Sequence, residues 1–155
     1  GEYDANLLGL NYRMNEISAA IGIEQIKRFP NFLRIRKKNF NYLKLKIKKK
    51  ETFDIINFEN KPFYGSYYCF CIVLKDPKIN RLDIIQNLNL YGIGTSIYYP
   101  KPIPEMGYYK KKYGYNSKNF KMAQKFSYRS IALPLGTHLT KKDLNLIAFA
   151  INRVL

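Results

Sequence analysis

The sequence predicts an α+β fold: a small, mostly antiparallel sheet covered by helices on one side. Two observations carry that expectation. The run YYCFCIVL over residues 67–74 is continuously β-branched or aromatic and reads as a buried strand. Around it, segments of helical apolar spacing alternate with short strand signals.

Taken in order, Asn15 is placed as the N-cap of a first helix, with Glu16 where the helix dipole favours an anion. Ile17, Ala20, Ile21, Ile26 and Phe29 give it an apolar face as far as Pro30. Ala19, Ala20 and Gly22 keep it thin. A mid-helix glycine costs ~1 kcal/mol relative to alanine, so close approach by another backbone is the expected reason. A second helix carries Phe32 or Leu33, Arg36, Phe40, Leu43 and Ile47 on one face, with Arg34, Lys37, Lys38, Lys44 and Lys48 on the other. In the strand that follows, Cys69 and Cys71 are two apart, share a face and read as core. Asn80 and Asp83 cap the next helix, lined by Leu82, Ile85 and Leu88 and stopped by Gly92. Residues 94–99 read as a strand ending at Pro100, and 101–116 as a loop punctuated by proline and glycine. A helix over 119–128 leads to a short strand over 130–133. Thr140 and Asp143 cap a last helix with Leu144, Ile147, Ala148, Ile151 and Leu155 on its face. Two parts are expected: residues 1–50 as an interface segment with long helices, and residues 51–155 as a small α/β domain.

With 46% hydrophobic and 25% charged residues, the 155-residue chain is globular rather than disordered. No apolar run approaches the ~18 residues of a membrane span. Two cysteines and the single His138 exclude a disulfide framework and a four-ligand zinc site, and argue against a metal centre. Lys and Arg total 27 against 11 Asp and Glu, a net charge of +16. That charge suits nucleic acid, an anionic surface or a phosphorylated substrate. It equally suits a chain rich in Lys, Asn, Ile, Tyr and Phe through A/T-rich codons, its basic run from Arg34 to Lys50 facing water. Beginning at Gly1 in mid-pattern, the chain reads as a piece of a longer one.

Three local segments carry chemistry. Gly9-Leu10-Asn11-Tyr12-Arg13-Met14 precedes a helix N-terminus, where an amide, a guanidinium and oriented backbone N–H groups can hold an anion; an ordinary cap with a surface arginine is the other reading. In Gly92–Pro100 the glycines permit a sharp turn, and the strand delivers Tyr98 and Tyr99 to a proline corner, as a pocket wall or as core. Leu133–Thr140 joins a strand end to the last helix, with His138 just ahead of the cap as a surface, capping or catalytic group.

In this order and at these spacings, the three segments resemble the C-terminal part of the DegT/DnrJ/EryC1/StrS family of pyridoxal-phosphate-dependent sugar aminotransferases. The likeness rests on GLNYRMNEISAAIGIEQIKR at 9–28, GIGTSIYYP at 92–100, YYKKKYG at 108–114 and SYRSIALPLGTHLTKKDL at 127–144. It covers essentially the whole chain.

The resemblance implies the small-domain portion of a fold-type I transferase, preceded by interface helices. It implies pyridoxal 5'-phosphate as cofactor, with glutamate and a nucleotide-linked keto-sugar as substrates. It further implies a homodimer sharing its site across the interface, working in the cytoplasm, with neither nucleic acid nor membrane as partner. Carried over, Asn11 hydrogen-bonds the cofactor phosphate and Arg13 sits near that phosphate or the donor's carboxylate. Tyr98 and Tyr99 fall beside the substrate. The family's cofactor-bearing lysine follows a serine-rich turn that does not occur in this sequence, so no catalytic residue is assigned here and these residues alone are expected to be inactive. The alternatives are a non-catalytic dimerisation or scaffold remnant of the same fold, and a basic nucleic-acid-binding module with stacking tyrosines.

Overall fold

A computed structural model describes residues 7–48, 51–57 and 64–155, so Gly1 and the last two lysines of the basic run lie outside the described residues. The chain divides into two compact units, residues 1–32 and 33–155.

In the first unit the backbone has no regular structure from residue 8 to Asn15. Asn15 then caps helix α1 (Glu16–Lys46) as expected: its Oδ1 accepts the Ser18 N–H at 2.8 Å, and its carbonyl accepts from Ala19 at 3.0 Å. The expected apolar face is uncovered, with Ile17 at 76% and Ile26 at 73% exposure. A Cβ built on Gly22 meets nothing within 4 Å, so among the described residues no backbone of this chain makes the close approach expected there.

Pro30 does not separate two helices. It lies inside α1, which runs on to Lys46. An internal proline forfeits one hydrogen bond and crowds a carbonyl, at a cost of ~3 kcal/mol. The later turns outweigh this: Phe40 and Leu43, followed by Ile47, are buried in the core of residues 33–155.

That core forms against a three-stranded sheet of order β1-β2-β3, with β1 at Phe53–Ile55, β2 at Phe70–Leu74 and β3 at Ser130–Leu133. Both pairings are antiparallel; Phe53 faces Leu74, and Phe70 faces Leu133. Opposed residues share a face. Phe53, Ile55, Phe70, Ile72, Leu74, Ile131 and Leu133 therefore form one apolar surface. Against it pack Phe40 and Leu43 of α1, Ile84 and Leu88 of α2 (Arg81–Leu90), and Leu144, Ile147 and Ile151 of α5, which spans Lys141–Val154. The opposite face is covered too, since Val73, Ser130 and Ala132 are buried. On that face Cys71 is only half-buried and Asp54 is exposed, and α4 (Lys121–Arg129) contacts β2 and β3.

Several elements differ from expectation. Strand β1 is three residues long, too short to show a period of two, and was not anticipated. The expected strand from Tyr67 starts only at Phe70. Tyr67 takes φ 49°, outside extended space, and its buried ring packs 5.3 Å from that of Phe40. Cys69 and Cys71 are half-buried rather than core, because Cys71 points away from the Phe70, Ile72 and Leu74 face. Burial still pushes both thiols up, Cys71 to about 11 with Cys69 contributing. Residues 94–99 make a single bridge, in which Ser96 exchanges two backbone hydrogen bonds with Ala132. The prolines at 100, 102 and 104 lack the N–H that would extend it. Within 101–116, taken as loop, lies helix α3 (Gly107–Tyr113), closed by Gly114 at φ 62° with lysines in its last turn.

Helix α2 buries Ile84 and Leu88 and leaves Leu82 exposed, so its inward stripe is rotated from the expected one. Its end is as expected. Gly92 (φ 74°) donates to Asn89, Ile93 donates to Leu88, and the buried side chains of Ile93 and Leu88 complete a Schellman motif. Thr140 and Asp143 form a full capping box at the start of α5.

Two arginines lock the second unit. The Arg129 guanidinium donates to the carbonyls of Leu74 (3.2 Å), Ile79 (3.1 Å) and Asp76, gripping the β2–α2 turn. Arg81 reaches back to the carbonyls of Ser127 (2.6 Å) and Ser130 (3.4 Å). Arg129→Met leaves three carbonyls without their cation and should lower stability by about 2–3 kcal/mol in urea unfolding; an unchanged midpoint would refute the clamp. The Asp143 carboxyl is held below its ordinary range by the Thr140 hydroxyl and then by the Thr140 backbone N–H. A depressed folded value stabilises above the ordinary aspartate range and is lost as pH falls through it. Asp143→Asn should therefore unfold more easily than wild type at pH 7, with the gap closing below about pH 4.

Candidate functional site

Helix α1 contributes to a cleft within residues 33–155: Arg36 lines it, and Asn39, one turn on, ties down the loop beside it. The buried Asn39 carboxamide donates to the Gly136 carbonyl at 3.0 Å, tying the loop after β3 to the helix. Leu135 seals that loop into the core. At Gly136 an added Cβ would sit 2.3 Å from the imidazole Cε1 of His138, so only glycine lets that ring settle over the loop. One turn before Asn39, Arg36 lines this cleft of about 360 Å³ together with Tyr68, Ser96, Tyr98, Thr137 and His138.

The structure thus joins two of the three sequence segments. The Ser96–Ala132 bridge lays residues 92–100 beside the end of β3, so Tyr98 and His138 line one cleft although 40 positions apart. Tyr98 packs 6.1 Å from Tyr68 and 6.1 Å from Tyr99. A hydrogen bond with Tyr98 is the main reason the Tyr68 hydroxyl is pushed up. Tyr98 also borders a second, apolar cleft of about 370 Å³, which Tyr99 lines with Ile103, Phe120 and Phe126 and where Lys101 supplies a charge. Both tyrosines are exposed walls rather than core. His138 lines the first cleft and makes a minor contribution to holding Asp143 ionised.

Asn11 and Arg13 belong to the first unit. The Asn11 Oδ1 accepts the Arg13 N–H at 2.9 Å, a local turn that leaves the Asn11 amide hydrogens and the Arg13 guanidinium exposed. Among the described residues neither group has an acceptor. A donor pair of this kind, one neutral and one cationic, fits a phosphate.

Arg36 and Tyr68 were not singled out from the sequence. Helical spacing puts Arg36 on the apolar stripe, a lone cation among Leu33, Phe40 and Leu43, and that oddity is the usable signal. Among the described residues no three His, Cys, Asp or Glu cluster to hold a metal, and no helix is long and apolar enough to cross a membrane.

Comparison with known proteins identifies the family. The model of the DegT/DnrJ/EryC1/StrS aminotransferase family matches residues 1–152. The GDP-4-keto-6-deoxy-D-mannose 3-dehydratase of Escherichia coli O55:H7 is 36% identical over 88 residues, covering 56% of this chain and 22% of that protein. The UDP-4-amino-4,6-dideoxy-N-acetyl-beta-L-altrosamine transaminase of Campylobacter jejuni is 24% identical over 144 residues, covering 90% of this chain and 36% of that one. Among solved structures, Spr1654 of Streptococcus pneumoniae in its PMP form superposes with a TM-score of 0.84 at 25% identity, over 99% of this chain and 38% of its own. The chain therefore spans less than two fifths of these relatives. The three-stranded antiparallel sheet with its helices is the C-terminal part of their fold, and the chain belongs to the DegT/DnrJ/EryC1/StrS aminotransferase family.

Proposed function

We propose that these residues are the C-terminal portion of a pyridoxal-phosphate-dependent aminotransferase that moves an amino group from glutamate to a nucleotide-linked keto-sugar in the cytoplasm. The family match over residues 1–152 carries the reading. The transaminase named among its relatives, and a structural neighbour solved in PMP and PLP forms, support it.

Pyridoxal phosphate, when bound, would supply an aldehyde carbon able to carry the amino group and an electron-withdrawing ring beside it. Asn11 and Arg13 hold its phosphate: the Asn11 amide donates one hydrogen bond, and the Arg13 guanidinium adds charge-assisted ones worth ~1.5–3 kcal/mol each. The turn between them keeps both donors on one short stretch just ahead of α1, whose N-terminal dipole adds to the attraction. In the proposed homodimer this stretch serves the neighbouring subunit's cofactor, and the uncovered isoleucines of α1 are the surface that association buries. Tyr98 and Tyr99 flank the substrate, presenting ring faces to the sugar or base and hydroxyls to its polar groups. The cofactor-bearing lysine is supplied by the preceding part of the protein, and residues 1–155 alone do not transaminate.

A second reading has its own support. The likeness to a GDP-4-keto-6-deoxy-D-mannose 3-dehydratase points to removal of a hydroxyl from a nucleotide-linked keto-sugar instead of amination. Mass analysis of the product separates them, since only amination transfers nitrogen from labelled glutamate.

In the full-length protein, Asn11→Ala with Arg13→Ala should weaken cofactor binding, read by visible absorbance, at least tenfold. Wild-type affinity and activity in that variant would remove the assignment. Residues 1–155 expressed alone should associate as concentration rises, and a monodisperse monomer at high concentration in light scattering would count against the interface role of α1.

A further inference from the structure

We propose that the groove lined by α1 and the start of α5 is a binding site for a small, soluble phosphate ester. Its volume is about 480 Å³, within the range of cavities that hold a small organic ligand. None of the residues lining it lines either of the clefts that Tyr98 borders, so it is a site apart from the proposed substrate position.

Charge selects the ligand's head. Arg34 and Lys38 of α1 and Lys141 of α5 line the groove, and no Asp or Glu does. Among the described residues, the Lys38 and Lys141 ammonium groups make neither an ion pair nor a hydrogen bond. Asp143, the acid nearest to Lys141 in the sequence, is held by the Thr140 hydroxyl and backbone N–H. The same capping box closes the start of α5, so the side-chain cations are what an anion would meet. Arg34 and Lys38 already lie one helical turn apart, and a third cation in the same groove adds repulsion that a bound anion offsets. A phosphate monoester brings about two negative charges at pH 7 and three acceptor oxygens, enough for three cations at once. A carboxylate brings one charge and two oxygens. Lysines act on a phosphate as point charges, without the fixed geometry of a fork.

The remaining lining selects the ligand's body. Tyr42, Leu139 and Leu144 give the groove an aromatic and aliphatic side. The Tyr42 hydroxyl donates to the Asn145 Oδ1 at 2.6 Å, which fixes the position of its ring. An inorganic ion would leave that side against water, whereas an apolar or aromatic group carried on the phosphate covers it.

The test titrates phenyl phosphate, an aromatic phosphate monoester, calorimetrically into the full-length protein, with inorganic phosphate and benzoate in parallel arms. Wild type should bind phenyl phosphate several-fold more tightly than either. Lys38→Gln with Lys141→Gln should weaken it at least tenfold; both side chains are exposed, so this variant should fold as wild type does. Lys110→Gln with Lys111→Gln removes the same charge from α3 and should leave the affinity unchanged. Binding should also persist in Asn11→Ala with Arg13→Ala, which separates the groove from the proposed cofactor-phosphate turn. No binding by wild type, equal weakening by the two lysine pairs, loss of binding in the Asn11 and Arg13 variant, or benzoate bound as tightly would overturn the site. Capture of the protein by phosphatidic acid vesicles, without binding of phenyl phosphate, would overturn it too and point to a lipid surface.

Discussion

Everything in residues 33–155 hangs on the inward face of β2. Phe70, Ile72 and Leu74 have essentially no exposed surface, and each is met by a partner strand in the sheet plane and by helices above it. A side chain of that kind contributes ~1.5–3 kcal/mol on burial, so this strand alone supplies much of what must offset chain entropy. Because the period of a strand is two, burying those three residues commits Cys71 and Val73 to the other side. There Val73 is covered, while Cys71 stays half-exposed with a thiol that burial keeps protonated. The half-buried position of Cys71 is thus a consequence of register.

The same packing places the cleft. Helix α1 buries Phe40 and Leu43, and the helical spacing then points Asn39 and Arg36 toward the loop after β3. Asn39 satisfies the Gly136 carbonyl, Gly136 admits the His138 ring, and the Arg36 Nε is buried without a hydrogen-bond partner. A structural core and a polar cleft therefore share one helix, divided along its length and not by separate domains.

Residues 7–32 obey a different logic. Their apolar side chains stand in water, their one built turn joins Asn11 to Arg13, and Gly22 has open space around it. A monomeric domain rarely leaves such a stretch uncovered. In the proposed dimer the thin, apolar face and the anion-binding turn serve one purpose, closing a neighbour's site.

Much was legible in the sequence because the physics behind it is local. The Asn15, Asn80 and Thr140 caps, the glycine stop at Gly92, the strand at 130–133 and the buried face of α5 all follow from side chains within a few positions of one another. The ordered motifs that carry the family are equally properties of the chain as written. What was not legible depends on partners far away. Pro30 lies inside a helix because Phe40 and Leu43 pay for the lost hydrogen bond through burial. The segment 94–99 stops at one bridge because of where Ala132 lies and because prolines follow. Arg36 is the clearest case. Its spacing puts it on the apolar stripe, but only tertiary structure decides whether that spot is packed core or open cleft, since the cleft is made by a loop 100 residues further along the chain.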